Sequence, residues 1–307
     1  MAPRYLIIGV SGFIGASLRA FFGPADTVVT YSTRPAEGGI CFDARRDRLH
    51  DVVLKHYKSI THAFILYGIT GIDACALDPD GTAKVNVSSV KEVIRQLVDC
   101  GITPVFASSD AVFDGSHGYW TETDTVCPIL TYGRQKVAVE EFLMAGSYPY
   151  LIARLPKVVT TEPGAMDIMG SWMRDLERGV EIRCARDQIF SPIAVDDVVT
   201  GLSALVESRC SGLFHLCSPA PLSRLGLLGL LAAEVRRYRT IEAHVTPCSI
   251  RDFDFAEPRP LDTSMSAAKL HALLGRRFKE MGEVCRTAAD RRYGCDGRSG
   301  ISTQVAA

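Results

Sequence analysis

Two short stretches bring together residue types that can hand a proton to a carbonyl oxygen. In Tyr132-Gly133-Arg134-Gln135-Lys136 a phenol and an ammonium stand four apart, which places both on one face of a helix. A neighbouring positive charge favours the phenolate. The tyrosine pKa of about 10 is therefore expected to fall, making the phenol a working acid near neutrality. Upstream, Ser108-Ser109-Asp110 closes an apolar run. If that run is a strand, the serine hydroxyl stands at the carboxyl edge, where open α/β sheets bind ligands. There it can hydrogen-bond the same carbonyl that the tyrosine protonates. A core tyrosine, a surface lysine and a turn serine are the plain alternative. What gives the set weight is its order behind a glycine-rich loop.

That loop is Gly9-Val10-Ser11-Gly12-Phe13-Ile14-Gly15, spaced G-x-x-G-x-x-G between the first apolar run and the first helical pattern. Glycines there permit a tight turn, close approach of backbone N–H groups to a pyrophosphate, and close helix–strand packing. The helix N-terminus adds unpaired donors and partial positive charge. The loop residues Gly9, Ser11, Gly12, Phe13, Ile14 and Gly15 are thus candidate dinucleotide ligands, against the alternative of a merely tight turn. The second run, Val28-Val29-Thr30-Tyr31-Ser32-Thr33-Arg34, ends without an acid for ribose hydroxyls. Ser32 and Arg34 instead suit a 2′-phosphate and favour NADPH. NADH is the alternative, with Arg34 then a solvated loop cation. Asp43, ending the third run, is expected beside the adenine. Tyr67, Tyr132 and Lys136 complete the expected cofactor set.

The elements that must hold these residues alternate along the first half. Strands are predicted over Tyr5–Ile8, Thr27–Tyr31, Gly39–Phe42, Ala63–Tyr67, Pro104–Ser108 and Tyr150–Arg154. Helices are predicted over Phe13–Phe22, Arg48–Tyr57, Thr82–Cys100 and Tyr132–Ala145. The alternation predicts an α/β fold, a Rossmann-type doubly wound parallel sheet with a smaller, irregular C-terminal lobe for substrate. The dinucleotide-binding domain is expected to take residues 1–155 and about 190–210. The second lobe takes about 156–189 and 211–293, and 294–307 form a flexible tail.

Composition narrows the classes. The 307 residues carry 34 basic and 35 acidic side chains, a balance that argues against a nucleic-acid partner or an anionic membrane surface. Arg45-Arg46-Asp47-Arg48 reads as a solvated helix end or face. Ten cysteines form no C-x-x-C, and no H-E-x-x-H occurs, so no metal site is expected. Scattered thiols, as in Gly39-Ile40-Cys41-Phe42, read as small core hydrophobes in a reducing compartment. The uncharged run Tyr5–Leu18 is too short to span a membrane. A cytoplasmic protein is expected, with homodimerisation left open.

Taken with further stretches, these motifs resemble an extended short-chain dehydrogenase/reductase, and within it the dTDP-4-dehydrorhamnose reductase group. The resemblance covers about residues 4–270. It includes Thr70-Gly71-Ile72-Asp73, Val85-Asn86, Ser108 to Gly115, Tyr132 to Lys136, Asp187 to Asp197 and Arg259 to Ser266. It implies Ser109, Tyr132 and Lys136 as the catalytic triad, with Asn86 supporting the active-site backbone. The implied reaction is NADPH-dependent reduction of a 4-keto-6-deoxy nucleotide sugar, with Ser109, Asp110, Ala111, Tyr132, Lys157 and Arg259 at the substrate. The group usually carries an aromatic residue where Ala111 stands, and often Trp where Lys157 stands. Lys157 is open to two readings, contact with an anionic group or with solvent. An epimerase or dehydratase of the same fold and a non-catalytic NADP-binding regulatory subunit are the competing readings.

Overall fold

Seven short apolar runs form one parallel sheet in the computed structural model, which describes residues 4–275 and 277–294. The strands are β1 (Tyr5–Ile8), β2 (Thr27–Tyr31), β3 (Ile40–Cys41), β4 (His62–Ile65), β5 (Thr103–Ser109), β6 (Leu151–Leu155) and β7 (Gly212–His215). Their order across the sheet is β7-β6-β5-β4-β1-β2-β3, and every neighbouring pair is parallel. The strand order reverses between β1 and β4. At that switch point the carboxyl ends splay and leave a crevice for a ligand.

Alternate residues of each strand serve opposite faces, so both faces need cover. Ile7, Val29, Phe64, Val105 and Ala153 face helices α1 (Phe13–Phe22) and, in the second half of the chain, Val195–Glu207. Leu6, Ile8, Ile65, Phe106 and Ile152 face α2 (Val90–Asp99) and α3 (Thr131–Met144). The expected helix from Thr82 to Cys100 proves to be three pieces: Pro79–Ala83, a π-helical stretch Lys84–Ser89, and α2. Such wide turns inside helices occur often at functional sites, and this one carries Asn86.

A second core lies beyond the sheet. Helices α4 (Ile168–Arg178), α5 (Val195–Glu207, the helix already named), α6 (Arg224–Val235) and α7 (Met281–Tyr293) complete the set used below. Met169, Trp172, Leu176, Leu227, Leu231, Val284 and Cys285, from α4, α6 and α7, bury one another there. The expected boundary at 210 moves, however. Residues 212–215 are the edge strand of the main sheet, and Leu270 and Phe278 pack in the sheet's own core. A short apolar stretch among prolines gave no periodic signal for that strand. Of the expected tail only Gly294 lies among the described residues.

The thiols also sort differently from expectation. Cys75, Cys184, Cys217, Cys248 and Cys285 are buried, but Cys41, Cys100 and Cys127 are exposed. Cys41 lies on the two-residue edge strand β3, where one flank lacks cover.

Candidate active site and cofactor groove

The glycine loop turns from β1 into α1 as its spacing requires. A Cβ on Gly15 would sit 2.5 Å from the Gly9 carbonyl oxygen, so a side chain there would force the helix off the strand. Ser11, Gly12, Ser32, Arg34, Asp43 and Tyr67 line a cavity of about 370 Å3 together with Gly9, within the usual range for ligand sites. Phe13 faces a neighbouring cleft that meets this one at Ser11, Gly12 and Arg34. Ile14 packs into the sheet core, and Gly15 is buried against the loop. These two bear on the groove through backbone geometry alone.

At the far end of the groove Arg34 donates to the Ser11 carbonyl at 3.1 Å. Asp43 is forked by Arg45, with Nε at 2.9 Å and Nη2 at 2.7 Å. That hydrogen-bonded partner holds the Asp43 carboxyl down at about 2. Arg45 was expected on a solvated face, yet it lines the cavity while half exposed. A basic residue two positions after the strand-ending acid was the available signal, masked by the surrounding arginines. Tyr67 shares a hydrogen bond with Ser89 at 3.0 Å, and burial raises its phenol's pKa.

Ser109, Tyr132 and Lys136 converge where β5 ends beside α3. Gly133 permits the approach: a Cβ there would lie 2.0 Å from the Ala111 carbonyl oxygen. Lys136 is buried and donates to the Ala107 carbonyl at 2.7 Å, with its ammonium 5.5 Å from the centre of the Tyr132 ring. Burial draws its pKa down to about 8, partly offset by Glu140 and Cys75. Among the protein's own groups the balance at the tyrosine runs the other way. Tyr132 keeps partial exposure, but burial and then the charge of Asp110 push its phenol up, while a side-chain hydrogen bond with Ser109 opposes them. The lysine charge is spent largely on the Ala107 carbonyl.

Around this centre Asp110 accepts from Ser109 at 3.1 Å and from Thr263 at 2.9 Å. Burial raises its carboxyl, against those bonds and the charge of Lys157. Ala111 is buried, its N–H donating to the Ser109 hydroxyl at 3.2 Å. Lys157 has exposed surface, yet the protein packed around its ammonium lowers its pKa, with Asp110 and Asp167 opposing that fall and Arg224 and Arg259 adding to it. Arg224 was not among the expected site residues. Arg259 pairs with Asp73 at 2.7 Å and stacks on Phe255, while its Nη1 is buried without a hydrogen-bond partner. Asn86 clasps Ile69 from both sides, accepting from its N–H at 2.7 Å and donating to its carbonyl at 2.9 Å. It also donates to Gln135 of α3 at 2.7 Å, tying the groove wall to the tyrosine helix. The segment that brings Thr263 to Asp110 is tied down by a buried strap, with Trp120 N–H donating to the Ser264 carbonyl at 2.9 Å and Ser266 N–H to that of Trp120 at 2.8 Å.

The family described as RmlD substrate binding domain matches residues 3–292. The chain belongs to this family. Similar proteins include a probable low-salt glycan biosynthesis reductase, Agl14, of Haloferax volcanii. It is 29% identical over 48% of this chain, and the match spans only 51% of that relative. A dTDP-4-dehydrorhamnose reductase of Sinorhizobium fredii is 22% identical over 92% of this chain and 95% of its own. Methionine adenosyltransferase 2 subunit beta of Rattus norvegicus is 22% identical over 88% of this chain and 82% of its own. Among solved structures, the dTDP-4-dehydrorhamnose reductase of Bacillus anthracis in complex with NADP superposes with a TM-score of 0.81. It is 20% identical, covering 96% of this chain and 100% of that one, and shares the fold. Across the RmlD family match the half that forms the parallel sheet is the regular part, and Ser109, Tyr132 and Lys136 sit at its carboxyl edge. Among the described residues no helix is long and apolar enough to cross a membrane.

Proposed function

We propose that the protein reduces the 4-keto group of a 6-deoxy nucleotide sugar with NADPH. The observation that carries this reading is the convergence of Ser109, Tyr132 and Lys136 beside a glycine-loop groove with two arginines at its outer end. The groove fits a phosphorylated dinucleotide: Gly9 and Gly12 give close backbone approach, and Arg34 and Arg45 supply cations for a 2′-phosphate. When bound, NADPH supplies a hydride to the sugar carbonyl carbon. Ser109 donates a hydrogen bond to the carbonyl oxygen. Tyr132 gives its phenolic proton to that oxygen, and its raised pKa keeps the proton in place until charge develops there. Lys136 holds the cofactor's ribose and offsets the phenolate left on Tyr132. Lys157 and Arg259, with Arg224 between them in influence, meet the anionic part of the substrate. Relatives named as reductases of this kind support the reading.

A glycine-loop domain comprising the sheet and a substrate lobe built on α4, α6 and α7 is part of the proposal. So is a cytoplasmic location, which the free thiols support. The similarity to the methionine adenosyltransferase subunit favours one other reading, a cofactor-binding subunit without turnover. A panel of 4-keto nucleotide sugars assayed with NADPH and NADH decides between them. Tyr132→Phe is expected to abolish keto-sugar-dependent NADPH oxidation and leave NADPH binding nearly unchanged. Turnover that survives it refutes the mechanism.

A further inference from the structure

Strand β5 and helix α3 are joined three times in succession. Ala107 accepts from Lys136, Ser108 donates to Glu140, and the Ser109 hydroxyl stands near enough to the Tyr132 phenol to oppose the rise in its pKa. The strand residues are consecutive, and their helix partners, Lys136, Glu140 and Tyr132, are spaced four apart along one face. A slip of one residue along β5 would turn Ser109 to the opposite side of the sheet. Glu140 makes the middle link and is fully buried. Arg154 of β6 donates to it from Nε at 3.0 Å and from Nη2 at 2.6 Å, so both carboxylate oxygens are taken.

A buried ion pair of this kind is a poor source of net stability, because desolvation of both charges offsets their attraction. Its position suggests another use. The groups that act on the Lys136 charge are Glu140, from the same helix face, and the Cys75 thiol, from the segment packed alongside. The Lys136 ammonium also lies 4.6 Å from the centre of the Phe106 ring, which faces it from β5. Behind Glu140, Arg154 is met by His215 of β7, whose Nε2 lies 3.4 Å from Nη1. His215 Nδ1 lies 3.2 Å from the Trp120 carbonyl, so in the neutral ring Nδ1 donates to that carbonyl and Nε2 accepts from Arg154.

We propose that Glu140 is a positioning residue, setting the register of the serine strand against the tyrosine helix and supplying the negative charge that balances the Lys136 ammonium. The inference rests on the proposed reduction, since register and lysine charge matter to turnover only if Tyr132 is the acid. Its test uses the full chain and three variants, Glu140→Gln, Glu140→Asp and Ser108→Ala. Titration of Lys136 is followed by NMR of 13Cε-lysine-labelled protein, with the signal assigned by its loss in Lys136→Met. In Glu140→Gln the midpoint is expected to fall by about one pH unit, because an opposite charge one helical turn along the same face has been removed. The alkaline limb of kcat falls with it, while KM for NADPH changes little. If Glu140→Gln does not fold, Glu140→Asp, which draws the carboxylate back by one methylene, is expected to show a smaller fall. An unmoved midpoint in the folded variant overturns the charge role. Ser108→Ala should leave the midpoint alone and cut kcat about tenfold or more through misplacement of Ser109; an unchanged kcat overturns the register role. A wild-type chain that turns over no keto sugar refutes the proposed function, and the NMR titration, which needs no substrate, still decides whether Glu140 balances Lys136.

Discussion

The titration of Lys136 gives the proposed reaction a pH signature. Burial draws the ammonium to about 8 from an ordinary value of 10.5. A group of that strength is about nine-tenths charged at pH 7 and about one-tenth charged at pH 9. Because kcat/KM reports ionisations of the free enzyme, it is expected to drop about tenfold across those two units. Tyr132 does not contribute in this window, since burial and Asp110 push its own ionisation above the ordinary range. An unshifted lysine would leave the profile nearly flat to pH 9. Initial rates of NADPH oxidation with a saturating series of keto-sugar concentrations, taken from pH 6 to pH 10, measure the limb. Lys136→Arg keeps its charge throughout and should move the limb beyond pH 10 at a lower overall rate. A wild-type profile that stays level to pH 9.5, or a limb retained in Lys136→Arg, would refute the reasoning.

Three further outcomes follow from other parts of the molecule. Arg34→Ala and Arg45→Ala should each weaken NADPH about tenfold or more while changing NADH little, which paired titrations by fluorescence would show. Lys157→Met should raise KM for the nucleotide sugar by a similar factor with kcat less affected; equal losses in both would place Lys157 at the reacting carbon instead. His215 is buried and neutral, with burial the main cause and Arg154 next, and its pKa lies at about 3 against an ordinary 6.5. Its folded value is the depressed one, so the unfolded chain takes up a proton first as pH falls. Stability is therefore retained above pH 6.5 and lost towards pH 3, by on the order of 4 kcal/mol in full. His215→Gln should melt lower at pH 7 yet lose less between pH 6.5 and pH 4, as thermal scans at each pH would reveal.

The cofactor half was legible because its signals are local. Tyr5–Ile8 is an apolar run and Thr27–Tyr31 a β-branched and aromatic one, and the observed strands begin and end where these runs do. Phe13–Phe22 follows a glycine loop and stops at Gly23, again as read. The RmlD family match and the sheet order agree with the fold drawn from that alternation. What escaped depends on partners distant in sequence. β7 is a strand only because β6 offers it an edge, and nothing within Gly212–His215 announces that. The tyrosine ionisation was misjudged for the same reason. The spacing to Lys136 was right, but the Ala107 carbonyl that takes up the ammonium and the Asp110 carboxylate near the phenol come from another element. Arg45 was misread because a charged cluster hides which of its members turns inward.

The strap between Trp120 and Ser264–Ser266 bears on how the chain matures. Its neighbour Tyr119 donates to the Ser264 hydroxyl across 145 residues of sequence, and holds a left-handed backbone with φ of 57° to do so. Contacts that close so long a loop carry a high entropic cost until both ends are already placed. The groove beside β1 and β2 is lined by residues between Ile8 and Ser89, and so closes shorter loops than the strap does. The Thr263 partner of Asp110 must wait for residues 262–266. The groove lining is thus complete in sequence well before the segment that closes the strap, and a dinucleotide that binds the finished groove would stabilise the folded chain by mass action.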